Sequence, residues 1–450
     1  MNYIYRPKYL PLNIIDRQFL IPETDDFING SYLPMTIAAV VFPREMPSVE
    51  AIQNAIVHVD DNFPQYRLCY KLNLITPRWV LISDADRINY LKSRVQKVEF
   101  DTLDDHLSFH VQQNLFPLDE PLKIFVSNKS LCVHLYHPLG DASFLFQFTA
   151  SLVEAIYKPE NVEKSDSPYS IPLNKVVMSN IPQTIKVLGH SINRINEKIS
   201  KYISPRSSIS RSLPDEISEY QATITGTNMR VVHVEVKPEK MTQIRSHVKN
   251  LTDEMPITLN TYWQIYFTFR MIEMGLIDWP VELTTLVNLR RYMNEPNSFY
   301  PGNCISNIRL KINEAPFTDA CVDYQARLTD QVESAYPLSD IVGNWPLASA
   351  SNKLFKLANR NWYMNTSPLE KRFFTLTNAG RLDNVFESIA DYLLPDIRLV
   401  TPIMGAAPLV IAFTSINDYG HFTATYKPEI ISLNEVLQII DINDVNLGVD

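Results

Sequence analysis

The amino-acid sequence predicts an α/β protein with two regions of similar size. Short apolar segments with the two-residue period of a strand alternate with segments whose apolar residues recur every three or four positions, as in a helix. This alternation is present in both halves of the chain, and a polar stretch rich in Pro and Ser, from 158 to 182, separates them. Two α/β regions of roughly 200 residues each, joined by a linker, are therefore expected.

The first region is predicted to contain strands and helices in mixed order. Leu131–His137 is the clearest strand, because apolar residues alternate along it and His137 ends one of its faces. The other predicted strands are Tyr32–Phe42, Trp79–Ile82, Lys97–Phe100 and Leu122–Val126, and the predicted helices are Ser48–Asn62, Leu103–Asn114 and a segment with Phe144, Phe148, Leu152 and Ile156 on one face.

The linker contains one segment with helical periodicity. Apolar residues recur at spacings of three and four from Ile185 to Tyr202, with Lys and Arg between them. This basic amphipathic helix either packs on the body of the protein or docks on a membrane surface. The predicted division is an N-terminal lobe at 1–160, a linker at 161–220 and a C-terminal lobe at 221–450.

The C-terminal lobe repeats the mixture of strands and helices. Its long apolar helix is rich in aromatic residues, which suit either a core or the wall of an apolar channel. The predicted strands are Arg230–Val236, Leu283–Leu289, Phe373–Asn378, Leu409–Thr414 and His421–Tyr426, and the predicted helices are Pro238–Lys249 and Leu259–Met274.

Composition excludes several classes of function. A formal net charge of −9 argues against a broad nucleic-acid surface. Neither GxGxxG nor GxxxxGK[ST] occurs, so a Rossmann fingerprint and a P-loop have no local support. No apolar run is long enough to cross a bilayer, and the N-terminus is a poor signal peptide. The four scattered cysteines form no CxxC pair, which disfavours a zinc site or a disulfide framework and favours the cytoplasm.

One short motif carries chemistry. His137 and Asp141 form an HxxxD pattern at a predicted strand–turn–helix junction. A neutral imidazole can take the proton from an attacking alcohol or amine and return it to a departing thiolate. No GxSxG elbow suggests a serine intermediate. The alternative is that His137 is a packed strand residue and that Asp141 only caps the following helix.

One pair of histidines has a spacing that is also found in metal sites. His106 and His110 are four residues apart on a predicted helix, a spacing that can ligate a metal. No HExxH glutamate lies between them and no third ligand is evident. A solvated helix face is the preferred interpretation, and no metal is expected.

Segments in both halves resemble, in order, the HxxxD acyltransferase superfamily of chloramphenicol acetyltransferase, polyketide-associated acyltransferases, wax ester synthase/diacylglycerol acyltransferases and peptide-synthetase condensation domains. Several of these segments flank the HxxxD pattern and others lie in the second half. They are Leu12–Leu20 with its Asp16, Pro34-Met35, Phe63–Leu68, Leu118–Leu122, Asn288-Leu289-Arg290, Gly302-Asn303, Thr377–Gly380 and the Leu409–Tyr426 hairpin. The resemblance implies two α/β sandwich lobes in a V, with an active-site tunnel between them and His137 at its centre.

The resemblance also implies roles for individual residues. Asp141 is expected to be architectural and to pair with an arginine of the other lobe, Arg290 or alternatively Arg291. Asn378, Thr414 and Ser415 are candidates for donating to a developing oxyanion, although each could instead satisfy local backbone.

Two departures from the family pattern lie beside the motif. The frequent first histidine is Tyr136, and the glycine after the aspartate is Ala142. Both leave open a catalytically silent relative that acts as a binding or scaffold protein.

The expected function is acyl transfer from a thioester to an alcohol or amine. Acyl-CoA or carrier-bound phosphopantetheine would be a co-substrate, and no permanently bound cofactor is expected. Expected partners are a small-molecule or lipid acceptor, an acyl carrier protein and, through the basic helix, a membrane surface. A free-standing condensation enzyme acting on carrier-bound chains is the nearest alternative within the enzyme class.

Overall fold

The N-terminal lobe is built on a five-stranded sheet. The computed structural model describes residues 6–12, 16, 36–73, 78–100, 107–108, 121–162, 164, 189, 192, 229–293, 301–339, 374–403 and 408–442. The sheet has the order β12-β2-β7-β6-β5, and β7 pairs antiparallel with both β2 and β6. Its strands are β2 (Thr36–Pro43), β5 (Val95–Lys97), β6 (Leu122–Val126), β7 (Leu131–Tyr136) and β12 (Leu393–Val400).

Three helices whose bounds lie within the described residues, and a small sheet, also belong to this lobe. Ser48 caps the first helix by accepting a hydrogen bond from the amide of Ala51, the expected role of serine at a helix N-terminus. The helices are α1 (Val49–Asn62), α2 (Asp84–Lys92) and α3 (Ala142–Tyr157), and the small sheet has the order β1-β4-β3, with β1 (Tyr9–Pro11), β3 (Tyr70–Asn73) and β4 (Arg78–Leu81).

The C-terminal lobe contains a four-stranded sheet and a two-stranded sheet. The four-stranded sheet has the order β11-β13-β14-β8, and β9 pairs antiparallel with β10. The strands are β8 (Arg230–Val236), β9 (Val281–Asn288), β10 (Ile305–Ile312), β11 (Phe374–Arg381), β13 (Leu409–Ile416) and β14 (Tyr419–Tyr426), and the helices are α4 (Pro238–Lys249), α5 (Leu259–Glu273), α6 (Phe317–Glu333), α7 (Asp383–Phe386) and α8 (Leu433–Ile440).

The two lobes share one strand. β12 belongs to the C-terminal part of the chain, yet it pairs antiparallel with β2, for example Leu399 with Ala39. On its other side, the hydroxyls of Thr414 and Thr425 donate to the carbonyls of Ile397 and Thr401. The N-terminal sheet is therefore completed by a segment from the region predicted as the C-terminal lobe.

The predicted elements agree closely with the observed ones where the periodicity is strong. β8 and α4 have the predicted bounds, and α1 and β7 differ from theirs by one residue at one end. The helix predicted at Leu103–Asn114 lies mostly outside the described residues, as do His106, His110 and nearly all of the linker with its basic helix. None of the helices within the described ranges is long and apolar enough to span a bilayer.

Candidate active site

His137 follows directly on the central strand β7. This strand is buried along its whole length and lies between β2 and β6, so its end is held from both sides. A 3-10 turn, His137–Leu139, then leads into α3. His137 itself is 6% exposed. The sheet thus places one nearly buried imidazole at a strand end, beside the start of a helix.

The side chain of Asn303 determines which ring nitrogen of His137 carries the hydrogen. Its amide nitrogen Nδ2 donates to Oδ1 of Asp16 at 3.0 Å and to the backbone carbonyl of His137 at 2.7 Å. Because the NH₂ group faces two acceptors, the amide oxygen is the atom that lies 2.9 Å from Nδ1 of His137. Nδ1 must therefore donate, and Nε2 of the neutral ring carries the basic lone pair.

Asp16 is in turn held by two groups. Its Oδ1 also accepts from the backbone amide of Asn303 at 3.1 Å, and its Oδ2 lies 3.7 Å from Nη1 of Arg67. The Arg67 guanidinium is buried and stands over the ring of Trp79, 5.8 Å from its centroid. A buried carboxylate without such partners would be costly. The guanidinium, the carboxylate and the amide therefore hold one another and orient the imidazole.

Burial sets the protonation state of His137. Removal of the ring from water lowers the pKa of His137 below its ordinary value of 6.5, while the nearby charge of Asp141 and the contact with Asn303 act in the opposite direction. The imidazole is consequently neutral at pH 7. Neutral imidazole is the form that can accept a proton from an attacking nucleophile.

Asp141 makes two kinds of contact, one as a helix cap and one with an arginine, of which the sequence suggested the first and the family resemblance implied the second. Its Oδ1 accepts from the amide of Phe144 at 3.0 Å, which makes it the N-cap of α3. Its Oδ2 accepts from Nη1 of Arg290 and from the backbone amide of Cys304, both at 2.8 Å. One carboxylate therefore joins the first turn of α3 to the C-terminal lobe.

Arg290 is the arginine that meets Asp141. Burial acts to lower the pKa of Arg290, but the charge and hydrogen bond of Asp141, with other nearby groups, act to raise it, and the net shift is upward. Nη2 also donates to the carbonyl of Gly302 at 2.9 Å. Arg291, the alternative, is exposed, and its guanidinium lies 5.9 Å from the ring centroid of Tyr292. Arg290 and Asn303 thus approach the HxxxD turn from the same lobe.

Gly140 is required by space rather than by backbone conformation. Its φ of −179° is extended backbone that any residue adopts. A Cβ at this position would lie 2.4 Å from Cγ of Phe144, a fully buried side chain. The close approach brings the turn after His137 down onto the first turn of α3, where Ala142 is the first helical residue.

The three oxyanion candidates lie on β11 and β13. Oδ1 of Asn378 accepts from the amide of Gly380 at 2.8 Å, beside a bulge in the pairing of the two strands. The hydroxyl of Thr414 donates to the carbonyl of Ile397, and that of Ser415 lies 3.5 Å from the carbonyl of Gly380. These contacts supply each side chain with a local backbone partner.

Two residues of the site were not given a role from the sequence. Asp16 and Asn303 lie in short segments that resemble the family, and the sequence does not predict their contact with the histidine. They are 287 positions apart, and Asn303 is 166 positions from His137. The only sequence signal for these residues is that both lie in segments that resemble the same family. Their spacing in the sequence does not predict that they are in contact.

Comparisons with known proteins bear on the fold. No protein-family model matches the chain, and no curated protein matches it. Solved structures do match. Trichothecene 15-O-acetyltransferase from Fusarium sporotrichioides has a TM-score of 0.59 at 11% identity, with 98% of this chain and 96% of that chain covered.

Two further structures have comparable similarity. Polyketide synthase associated protein 5 from Mycobacterium tuberculosis has a TM-score of 0.58 at 11% identity, covering 92% of this chain and 94% of its own. The first condensation domain of the calcium-dependent antibiotic synthetase has a TM-score of 0.60 at 10% identity, covering 96% and 94%. The chain has the two-lobed fold of the chloramphenicol-acetyltransferase-like acyltransferases and condensation domains, as its sequence predicted.

Proposed function

We propose that the protein transfers an acyl group from a thioester to an alcohol or amine, with Nε2 of His137 as the general base. The observation that carries this proposal is the contact between Asn303 and Nδ1 of His137. It commits the ring hydrogen to Nδ1 and leaves the lone pair on Nε2. The lowered pKa of His137 keeps that nitrogen unprotonated at neutral pH.

The proposed reaction proceeds through one tetrahedral intermediate. Nε2 takes the proton of the acceptor O–H or N–H as the acceptor oxygen or nitrogen bonds to the thioester carbon. The intermediate then expels the thiolate, which receives the same proton from the imidazolium. The products are an ester or amide and a free thiol. Asn303 and Asp16 orient the ring, and Asp141 with Arg290 holds the turn.

The remaining parts of the proposal concern the co-substrates. Acyl-CoA or an acyl group on carrier-bound phosphopantetheine would be the donor, and a small molecule or lipid would be the acceptor, in a tunnel between the lobes. Asn378 and Ser415 stay candidates for the oxyanion site, whereas Thr414, the third candidate, already donates its one hydroxyl hydrogen to the carbonyl of Ile397. Condensation domains and a polyketide-synthase-associated protein among the structural neighbours support a carrier protein as partner.

A thiol-release assay tests the proposal. The purified chain is incubated with acyl-CoAs of graded length, or with acylated carrier protein, and pooled alcohols and amines. Thiol release that depends on acceptor is expected, and His137→Gln should lower it by about 10²–10⁴-fold. The matched control is His58→Gln, a half-buried histidine on α1, which should retain the rate. Retained activity in His137→Gln would refute the base assignment.

A binding module without turnover is the second candidate. It is favoured by the 6% exposure of His137 and by the departures at Tyr136 and Ala142. In that case the chain binds acyl thioester, as isothermal titration calorimetry with a non-hydrolysable acyl-CoA analogue would show, but releases no thiol with any acceptor. The same assay therefore separates the two candidates.

A further inference from the structure

A second group of titratable side chains lies away from His137. His233 on β8 and His421 on β14 project from the same face of the C-terminal sheet, because Thr423 is the partner of His233 in the register and His421 is two residues away from it. Asp396 on β12 faces them from the other sheet. Nε2 of His233 lies 3.2 Å from Nδ1 of His421, and Oδ1 of Asp396 lies 3.5 Å from the same Nδ1.

The hydrogen bonding of His421 directs a lone pair into this group. Its Nε2 lies 2.9 Å from the backbone carbonyl of Pro395, which can only accept, so Nε2 carries the hydrogen. In the neutral ring, Nδ1 then carries a lone pair, and it faces a carboxylate oxygen of Asp396. This lone pair can accept the Nε2 hydrogen of His233 at 3.2 Å, or it can coordinate a cation that lies between the two rings and the carboxylate.

The distances suit a metal ion. The three candidate ligand atoms all lie within 4.8 Å of one another. A tetrahedral ion with bonds of about 2.0–2.1 Å keeps its ligand atoms about 3.3–3.4 Å apart. The separations of 3.2 Å and 3.5 Å at Nδ1 of His421 bracket that value. Two imidazoles and one carboxylate are also a ligand set that zinc and other first-row divalent ions accept.

The surroundings of the group support the same assignment. Metal-ligating histidines usually donate their second nitrogen to a carbonyl or carboxylate, as His421 does to Pro395. Ligating carboxylates are usually held by a further hydrogen bond, and Nε of Arg398 donates to Oδ1 of Asp396 at 2.8 Å. That oxygen has a second lone-pair site for an ion.

The protonation of the two rings and the nearby charges determine how well this group can bind a cation. Burial lowers the pKa of His233 to about 3, the charge of Arg398 acting in the same direction, and burial also lowers the pKa of His421. Both rings are therefore neutral at pH 7, the form that binds a metal. Arg398 opposes a cation, whereas Asp396 and the exposed Glu235, which pairs with His421 in the register, favour one.

We propose that His233, Asp396 and His421 bind a first-row divalent transition-metal ion, with zinc as the probe. The site joins β12, which completes the N-terminal sheet, to β8 and β14 of the C-terminal sheet. A bound ion is expected to stabilise the packing of the two sheets against each other. This is independent of acyl transfer, because none of the three residues belongs to the site at His137.

The test is a metal titration of the full chain after removal of metals with EDTA. Calorimetry with Zn²⁺ should give one ion per chain, and Co²⁺ should give the visible absorption bands of a tetrahedral site. His421→Gln and His233→Gln should each lower the affinity by more than about 100-fold, beyond the loss typical of an outer-shell change. Zinc should raise the melting temperature of the wild type and leave that of both variants unchanged.

Controls separate this site from other histidines. His247→Gln, at a half-buried position on α4, and His106→Gln/His110→Gln, the pair noted in the sequence, should bind zinc like the wild type. If His421→Gln does not fold, the zinc affinity of His233→Gln, at a half-buried position, tests the proposal. Absence of stoichiometric binding in the wild type would overturn the proposal and leave the Nε2–H of His233 as the donor to Nδ1 of His421. Unchanged binding in His233→Gln would overturn it equally.

Discussion

The side-chain oxygen of Asn303 lies 2.9 Å from Nδ1 of His137, and the two residues come from different lobes. This contact selects the tautomer that the proposed base, Nε2 of His137, requires. Asp16 favours this orientation of the Asn303 amide, because a flipped amide would turn its carbonyl oxygen toward the Asp16 carboxylate. The tautomer of a histidine in the N-terminal lobe is therefore specified by a residue of the C-terminal lobe.

Removal of the Asn303 amide should impair turnover more than binding. In Asn303→Ala, Nδ1 of His137 loses its acceptor, so both tautomers become populated and the ring is less well oriented. We expect kcat to fall by about 10-fold or more, but by no more than the 10²–10⁴-fold that a general base contributes. KM should change little. ¹⁵N NMR of labelled histidine should show Nδ1–H in the wild type and a mixture in the variant. An unaltered tautomer signal in the variant would contradict the positioning role.

Removal of one partner of the Asp141–Arg290 pair should strongly destabilise the protein. Asp141→Asn leaves a guanidinium buried without its counter-charge, which costs about 3–5 kcal/mol in free energy of unfolding, measured by urea denaturation. The double variant Asp141→Asn/Arg290→Gln should lose less than the sum of the single variants. The exposed pair Arg270–Glu273 is the control, and Glu273→Gln should cost less than about 1 kcal/mol. Equal losses at the two sites would argue against a structural role for Asp141.

The pH dependence of transfer should follow the protonation of His137. The ring is active as a base only when neutral, and burial lowers its pKa below 6.5. The rate should therefore be constant above pH 6.5 and fall only at lower pH, as the folded protein takes up the proton. The measurement is kcat/KM from pH 4.5 to 8 with a stability control at each pH. An acidic limb centred above pH 6.5 would contradict a buried neutral base.

Gly140→Ala should disturb the turn between His137 and α3. The added Cβ would meet Phe144, a buried side chain that must shift, and overpacking of this kind costs about 1–3 kcal/mol. Transfer activity should fall with stability, because the same turn carries His137. Gly189→Ala is the matched control, since nothing lies within 4 Å of its Cβ position. Equal stability of the two variants in chemical denaturation would show that the turn accommodates the methyl group.

Several site features follow from local sequence and could be predicted. The alternation along Leu131–His137 places the imidazole at a strand end, and the apolar spacing after Asp141 predicts α3 with an aspartate cap. The choice between Arg290 and Arg291 could not be made in this way, because adjacent residues have nearly the same sequence context. It depends on which guanidinium is directed toward the other lobe.

By itself the sequence determined the order of the strands and helices, the HxxxD turn and the resemblance to a two-lobed acyltransferase fold, because periodicity and capping act over a few residues. Only the tertiary structure decided that β12 crosses to the N-terminal sheet, that Asp16 and Asn303 orient His137, and that His233, Asp396 and His421 meet. These contacts join residues from 25 positions apart, as for Asp396 and His421, to 362 positions apart, as for Ala38 and Val400. Such pairings are set by sheet order and lobe packing, which no local pattern encodes.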